Sequence, residues 1–290
     1  MKKLRRTMMF VPGNNPGMIQ NAGIYGADAV IFDLEDSVAV TEKDAARRLV
    51  YNALKTIKYP SEVAIRINHI STPFGYADLE TVLAAKPDII RLPKAESAEE
   101  MREIDAIITK AEEKYGFPPG SIKMMAAIET AKGLLNAAAI AAASPRMTAI
   151  AIGGEDFVAD LKTARSLDGK ELFVARSHIL LAARAAGIDA IDTVFADVND
   201  EEGFIAETML IKEMGFDGKS VVNPRQIRIV HKLFTPSAAE IDHARRVLAA
   251  YQEALAKKSG VISLAGKMID GPIVTRAERT LAYAEAVGAK

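Results

Sequence analysis

Two acidic residues stand at the ends of neighbouring apolar runs. Lys123-Met124-Met125-Ala126-Ala127-Ile128 runs into Glu129, and Ala149-Ile150-Ala151-Ile152 runs through Gly153 and Gly154 into Glu155 and Asp156. A short apolar run closed by turn residues reads as a buried parallel strand. The glycines let backbone approach a ligand closely. At the C-terminal ends of such strands, where α/β barrels carry their chemistry, Glu129 and Asp156 form an oxygen-only pair. That pair suits Mg²⁺ or Mn²⁺, since Mg²⁺ keeps waters beside one or two carboxylates. The plainer alternative is that each acid caps the helix after it.

Four more strand ends collect polar groups: Pro12-Gly13, Glu35 with Asp36, Arg66 with Asn68, and Lys94. Arg66 carries a planar fork matched to a carboxylate or an enolate oxygen. Beside a metal it makes an electrophilic site for a substrate with anionic oxygens, suited to making or breaking a C–C bond next to a carbonyl. Arg66 also fits a rim ion pair with Glu35 or Asp36, and those acids also fit helix capping. Lys94 fits a carboxylate or phosphate contact, or the buried amine of a Schiff-base, metal-free aldolase. The histidines His69, His178, His231 and His243 form no metal-spaced pair and are expected on surfaces or helix faces, and no G-x-S-x-G elbow occurs.

The elements that must position these groups alternate. Strands are expected over 7–11, 27–36, 63–68, 88–93, 123–129, 149–152, 189–195 and 218–223. Helices are expected over 42–57, 76–85, 97–115, 131–143, 171–186 and 200–214, with a polar segment at 162–169. Eight strands with intervening helices predict a (β/α)₈ TIM barrel over residues 1–231. An open doubly wound sheet is the alternative, but it normally opens on G-x-G-x-x-G, which is absent. Residues 232–290 form a C-terminal helical extension, with helices over 237–258 and 273–286, read as a lid or an arm across a neighbouring subunit. Asp270 in Met268-Ile269-Asp270-Gly271-Pro272 reads on spacing alone as turn chemistry.

Composition narrows the class. The chain has 290 residues, 49% of them hydrophobic, with a formal net charge of -1, so nothing calls for nucleic acid or an anionic membrane as partner. With no cysteine there is no disulfide, thiolate nucleophile or zinc-thiolate site, which fits a cytoplasmic enzyme. The basic start, Lys2 to Arg6, is followed by no long apolar stretch, so neither a signal peptide nor a membrane span is expected.

These residues together resemble the citrate lyase β subunits of the HpcH/HpaI aldolase/citrate lyase superfamily. The likeness rests on the stretches 5–14, 28–38 with 42–47, 65–68, Arg91-Leu92-Pro93-Lys94, 127–130, Gly153-Gly154-Glu155-Asp156-Phe157, 215–220 with 223–226, and 266–272, in family order along nearly the whole chain. The rim motifs are shared with malyl- and citramalyl-CoA lyases. The resemblance implies Mg²⁺ on Glu129 and Asp156. It places Arg66 on the oxo-acid or enolate oxygen, and the backbone N–H groups of Gly154, Glu155 and Asp156 on a substrate carboxylate. Glu35 and Asp36 act through waters, and Pro12 and Gly13 line the pocket. It also turns Asp270 into an acid/base reaching the next subunit's site, which makes a homo-oligomer, a trimer or multiples of one, the expected assembly. The implied reaction is Mg²⁺-dependent cleavage of a citryl thioester on an acyl carrier protein (γ) to oxaloacetate and the acetyl thioester, with a transferase (α) subunit loading the carrier. The nearest alternative is a stand-alone malyl-CoA or citramalyl-CoA lyase or thioesterase; a non-catalytic member of an assembly is a further one. Arg66→Ala is expected to abolish cleavage while sparing the fold.

Overall fold

Alternate residues of a strand face the same side of the sheet. In this chain those residues are Met8 and Phe10, Ala29 and Ile31, Ala64, Ile89, Met125, Ala149 with Ala151, and Ile191, which meet in one apolar cluster. The computed structural model of the chain describes residues 3–166, 168–256, 263–264 and 267–289. Their strands are β1 (Thr7–Pro12), β2 (Ala29–Asp33), β3 (Glu62–Arg66), β4 (Ile89–Leu92), β5 (Lys123–Ile128), β6 (Met147–Ile152), β7 (Asp189–Asp192) and β8 (Gly218–Val221). They pair in sequence order, all parallel, and β8 returns to β1 to close the barrel. The apolar cluster is therefore the filled barrel interior. A Cβ at Gly218 would sit 1.8 Å from the Arg5 carbonyl oxygen, so the closing strand requires glycine there.

The helices are α1 (Pro16–Asn21), α2 (Lys43–Thr56), α3 (Gly75–Leu83), α4 (Ala98–Tyr115), α5 (Ala131–Leu135), α6 (Ala137–Ala141), α7 (Gly154–Asp160), α8 (Lys170–Ala186), α9 (Glu201–Met214) and α10 (Pro224–Phe234). The longest of these, α4, shows why such segments form. Ser97 and Glu100 make a reciprocal capping box, Met101, Ile104, Ile108 and Ala111 recur on one buried face, and Gly116 at φ 68° ends it. Several expected boundaries differ. The second strand stops at Asp33, which leaves Glu35 and Asp36 in the following loop, and the seventh stops at Asp192. The expected helix over 131–143 breaks at Asn136, whose side chain donates to the Glu96 carbonyl oxygen at 2.8 Å. Helix α7 was not expected; it puts Glu155 and Asp156 in a first helical turn.

Two ionic clusters seal the sides and base of the barrel. Arg5 Nε meets Glu62 at 2.5 Å and Arg5 Nη1 meets Asp189 at 2.6 Å, all three buried, at the N-terminal ends of β3 and β7. Buried Glu112 accepts from Arg146 Nη2 at 2.7 Å and from the N–H groups of Gly120 and Ile122. Burial opposes the Glu112 charge, but Arg146 and the two N–H donors win and hold its pKa down to about 2, from an ordinary 4.5. A depressed folded pKa gives stability that is complete above 4.5 and is lost as pH falls through about 2. Glu112→Gln should therefore cost about 3 kcal/mol at pH 7. The gap to the wild type should close near the acid limit, and urea titrations at several pH values read it. A gap that stays constant with pH would remove the ionic explanation.

The described residues form two compact units, 1–230 and 231–290. In the second, α11 (Ala238–Ala256) and α12 (Gly271–Ala286) accompany a short antiparallel pair, β9 (Ser263–Leu264) and β10 (Lys267–Met268). Its core is Ala244, Val247, Ile269, Val274 and Ala277. Ser237 caps α11 reciprocally with Glu240, and the Asp270 carboxylate caps α12 by accepting from Ile273 N at 3.3 Å. The end of the helix expected to reach Lys258, Gly266 of the stretch 266–272, and Leu167 of the polar segment lie outside the described residues. No described helix is long and apolar enough to cross a membrane.

Candidate active site

Continuing the inward alternation past the apolar layers gives the floor of a pocket. After Met8 and Phe10 comes Pro12. After Ile31 comes Asp33, after Ala64 comes Arg66, after Ile89 comes Arg91, and after Met125 and Ala127 comes Glu129. These side chains line a cavity of about 400 Å³ at the C-terminal mouth of the barrel, with Asp36, Gly154, Glu155, Asp156 and Thr193 around them.

Arg66 is held by three acids. Its Nε donates to Asp33 Oδ1 at 2.6 Å and its Nη2 to Asp33 Oδ2 at 2.7 Å, a bidentate pair. Nη1 reaches Asp36 at 3.0 Å and Glu35 at 2.9 Å. Asp33 is itself fixed by Ser37 Oγ at 2.6 Å and by the Glu35 N–H at 2.9 Å. Burial works against both charges, yet the pairing keeps Asp33 below the usual carboxylate range and raises Arg66 further. The ion pair weighed as the plainer role of Arg66 is thus present, with Asp33 as an additional and closer partner. Arg66→Ala would strand the buried Asp33 charge and is expected to cost stability as well as activity, which makes Arg66→Lys the cleaner substitution.

Glu35 lies beneath the pocket wall, 2.8 Å from Lys94 Nζ, and burial raises its pKa despite Arg66 and Lys94. Lys94 takes φ 47° at the end of β4 and also reaches Asp36 at 3.8 Å and Asp156 at 3.6 Å. Burial opposes its charge, but Glu35, Asp36 and Asp156 hold the ammonium more firmly protonated than usual. A Schiff-base lysine needs the opposite shift. Gly13 does not line the cavity: its N–H donates to the Asp33 carbonyl oxygen at 2.8 Å, and a Cβ there would sit 2.5 Å from that oxygen. Asn68 is structural, donating to the Leu34 carbonyl oxygen and to Asp78.

Glu129 is 2% exposed, and its Oε2 has no hydrogen-bond partner. Burial, then the neighbouring Glu35 charge, pushes it up to about 8. Gly153 packs on it so closely that a Cβ would lie 2.4 Å from Glu129 Cγ. Across that contact, Asp156 projects from the first turn of α7 with its side chain 42% exposed. A buried, unsatisfied carboxylate beside an open one fits a hard divalent cation, whose charge would replace the missing partner. Among the described residues no three His, Asp or Glu side chains cluster as a metal site. A two-carboxylate set suits Mg²⁺, which takes its other ligands from water and substrate. At the rim, the Gly154 N–H is spent on Thr193 Oγ1 at 2.8 Å. The N–H groups of Glu155 and Asp156 belong to the set that a helix start does not use internally. Glu155 is met by Arg165 at 3.1 Å. Asp270 belongs to the second unit.

Asp33 as the clamp on Arg66, Arg91 and Thr193 were not singled out from the sequence as pocket groups. Arg91 is 2% exposed, and its Nε and Nη1 lack hydrogen-bond partners. Burial, and then Arg66, lowers its pKa to about 10. Arg66 and Arg91 both lie on Phe10, with Cζ at 4.9 and 5.1 Å from the ring centroid.

Residues 6–224 match the family described as HpcH/HpaI aldolase/citrate lyase. The chain is 55% identical over 98% of its length to "Citrate lyase subunit beta" of Leuconostoc mesenteroides subsp. cremoris, covering 95% of that protein. It is 38% identical over 98% of its length to "(3S)-malyl-CoA thioesterase" of Cereibacter sphaeroides, covering 96% of that protein. Among solved structures it is similar to protein CitE from Mycobacterium tuberculosis in complex with magnesium, acetoacetate and coenzyme A. That likeness has a TM-score of 0.81 and 35% identity, and covers 98% of this chain and all of that one (100%).

Proposed function

Because the chain belongs to the HpcH/HpaI aldolase/citrate lyase family, we propose that it works as a citrate lyase β subunit, cleaving a citryl thioester carried on an acyl carrier protein to oxaloacetate and the acetyl thioester. The observation that carries this reading is the buried, unpartnered Glu129 carboxylate set beside open Asp156 in a pocket that holds two guanidinium groups. Glu129 and Asp156 would hold Mg²⁺. When bound, Mg²⁺ supplies Lewis-acid polarisation to the hydroxyl and carboxylate of the substrate.

The chain's own groups do the rest. Arg66, oriented by Asp33, presents its remaining N–H to the oxygen on which charge develops. The N–H groups of Glu155 and Asp156 take a substrate carboxylate, and Thr193 fixes that edge through Gly154. Lys94 and Glu35 fix Asp156 and Arg66 rather than react. In the cleavage the hydroxyl loses its proton, the C–C electron pair moves to the thioester fragment as an enolate, and the enolate carbon gains a proton, so atoms and charge balance. The thioester makes that carbanion far more accessible than that of free acetate. In this reading Asp270, from the 232–290 arm of a neighbouring subunit, is the acid, so the working form is a homo-oligomer. A transferase (α) subunit and the carrier (γ) complete a cytoplasmic complex.

The test is oxaloacetate release from citryl-carrier protein, citryl-CoA, malyl-CoA and citramalyl-CoA. Citryl cleavage that prefers the carrier, stops in EDTA and returns with Mg²⁺ is expected. Activity untouched by thorough chelation would remove the metal. Glyoxylate or pyruvate from malyl- or citramalyl-CoA, without citryl cleavage, would move the function to the stand-alone lyases.

A further inference from the structure

The pocket holds two guanidinium groups in opposite states. Arg66 is compensated by Asp33, Glu35 and Asp36. Arg91 lies against the same aromatic ring, its Cζ 5.1 Å from the centroid, and is 2% exposed, with Nε and Nη1 unpartnered and no hydrogen bond or ion pair among the described residues. A buried cation without a partner is costly to keep, and one that lines a cavity points to an anion supplied from outside. Inward alternation on β4 places it one layer above Ile89, at the pocket floor.

Resting on the citryl reading, the substrate's chemistry identifies that anion. The oxo-acid half of a citryl group has two carboxylates. One lies next to the reacting carbon, within reach of the metal carboxylates and the rim N–H groups. The other lies one methylene away and is absent from malyl and citramalyl groups. We propose that Arg91 binds this distal carboxylate and is the residue that selects a dicarboxylic oxo-acid over glyoxylate or pyruvate. Its fork can offer Nη2 together with Nε, or Nη2 together with Nη1, as a bidentate edge, and carboxylate binding there replaces the missing partner. A product lacking that carboxylate leaves the guanidinium buried and unpaired, which is how a polar site rejects a near-isostere.

The experiment is calorimetric titration of the Mg²⁺-saturated full chain with freshly prepared oxaloacetate and with pyruvate, for wild type, Arg91→Met and Arg91→Lys. Wild type is expected to prefer oxaloacetate by about 100-fold. Arg91→Met should lose about 100-fold in oxaloacetate affinity, hold pyruvate within about 3-fold, and melt no lower than wild type without ligand, since it removes an unpaired buried charge. Arg91→Lys should recover part of the preference. A preference that survives in Arg91→Met overturns the assignment alone. So does an equal loss for both acids, or a fall in melting temperature, because either means that Arg91 is structural. Equal affinity of wild type for the two acids overturns the citryl reading, and the assignment with it.

Discussion

Glu129→Gln is expected to lower citryl cleavage by at least about 10³-fold, the scale of losing metal-based charge stabilisation. The same substitution should make the metal-free protein more stable above neutral pH. The wild-type carboxylate is buried with Oε2 unpartnered, and its pKa is raised from 4.5 to about 8. A raised folded pKa gives stability that is complete below 4.5 and lost as pH rises through about 8. Over that window the metal-free wild type should lose about 5 kcal/mol at most, and Glu129→Gln should not. Mg²⁺ reverses the comparison, because it binds the carboxylate form: it should stabilise wild type and release up to one proton per site below pH 8, and leave Glu129→Gln unmoved. Melting curves in EDTA and in Mg²⁺ at pH 6 and pH 9 read all of this. An equal Mg²⁺ shift in the two proteins would take Glu129 out of the metal site.

The barrel was legible because its signals are local. Apolar runs closed by glycine, proline or charge mark strand ends, and the amphipathic stretches between them mark helices. The acids Glu129 and Asp156 were legible for the same reason, since each stands where a run stops. What sits inside the barrel was harder to read. Val30-Ile31-Phe32-Asp33 is apolar at every position before the acid, because buried parallel strands are covered on both faces, so the run does not say which parity faces inward. Only the closed sheet brings Asp33, Arg66 and Arg91 together above Phe10. Helix α7 was hidden by Gly153 and Gly154, which read as a loop but are needed for contact with Glu129 and Thr193. Asp270 shows the opposite limit: its capping bond to Ile273 N is what the turn signature foretold, whereas its role in catalysis rests on resemblance.

Lys219→Met should be the most destabilising single change outside the apolar core. Lys219 stands on β8 facing the helices, fully buried, and donates to Asp192 at 2.7 Å, to Glu207 at 2.6 Å and to the Thr193 carbonyl oxygen at 2.9 Å. Arg176 of α8 completes the square, meeting Asp192 at 2.8 Å and Glu207 at 2.9 Å. Two cations face two carboxylates, and Asp192 is held well below the usual range despite complete burial. Nothing in the sequence announces the square, because its members come from two strands and two helices and each alone reads as a surface charge. Removing Lys219 takes one charge from this buried square and leaves Asp192 and Glu207 to share Arg176, with Arg165 still on Glu207 at 2.6 Å. Breaking a buried network in this way costs about 3 kcal/mol and should lower the melting temperature by roughly 10 °C. Lys219→Met with Asp192→Asn restores neutrality, since Arg176 keeps Glu207, and should recover much of the loss; a double variant no more stable than the single one would show that packing, not charge, is at stake. The square also reaches the pocket. Lys219 holds the Thr193 carbonyl, Thr193 holds the Gly154 N–H, and Arg165 ties Glu207 to Glu155 at 2.6 and 3.1 Å. The single variant, assayed well below its melting point, should therefore raise KM more than it lowers kcat, because what loosens is the edge that receives the substrate carboxylate rather than the groups at the reacting bond.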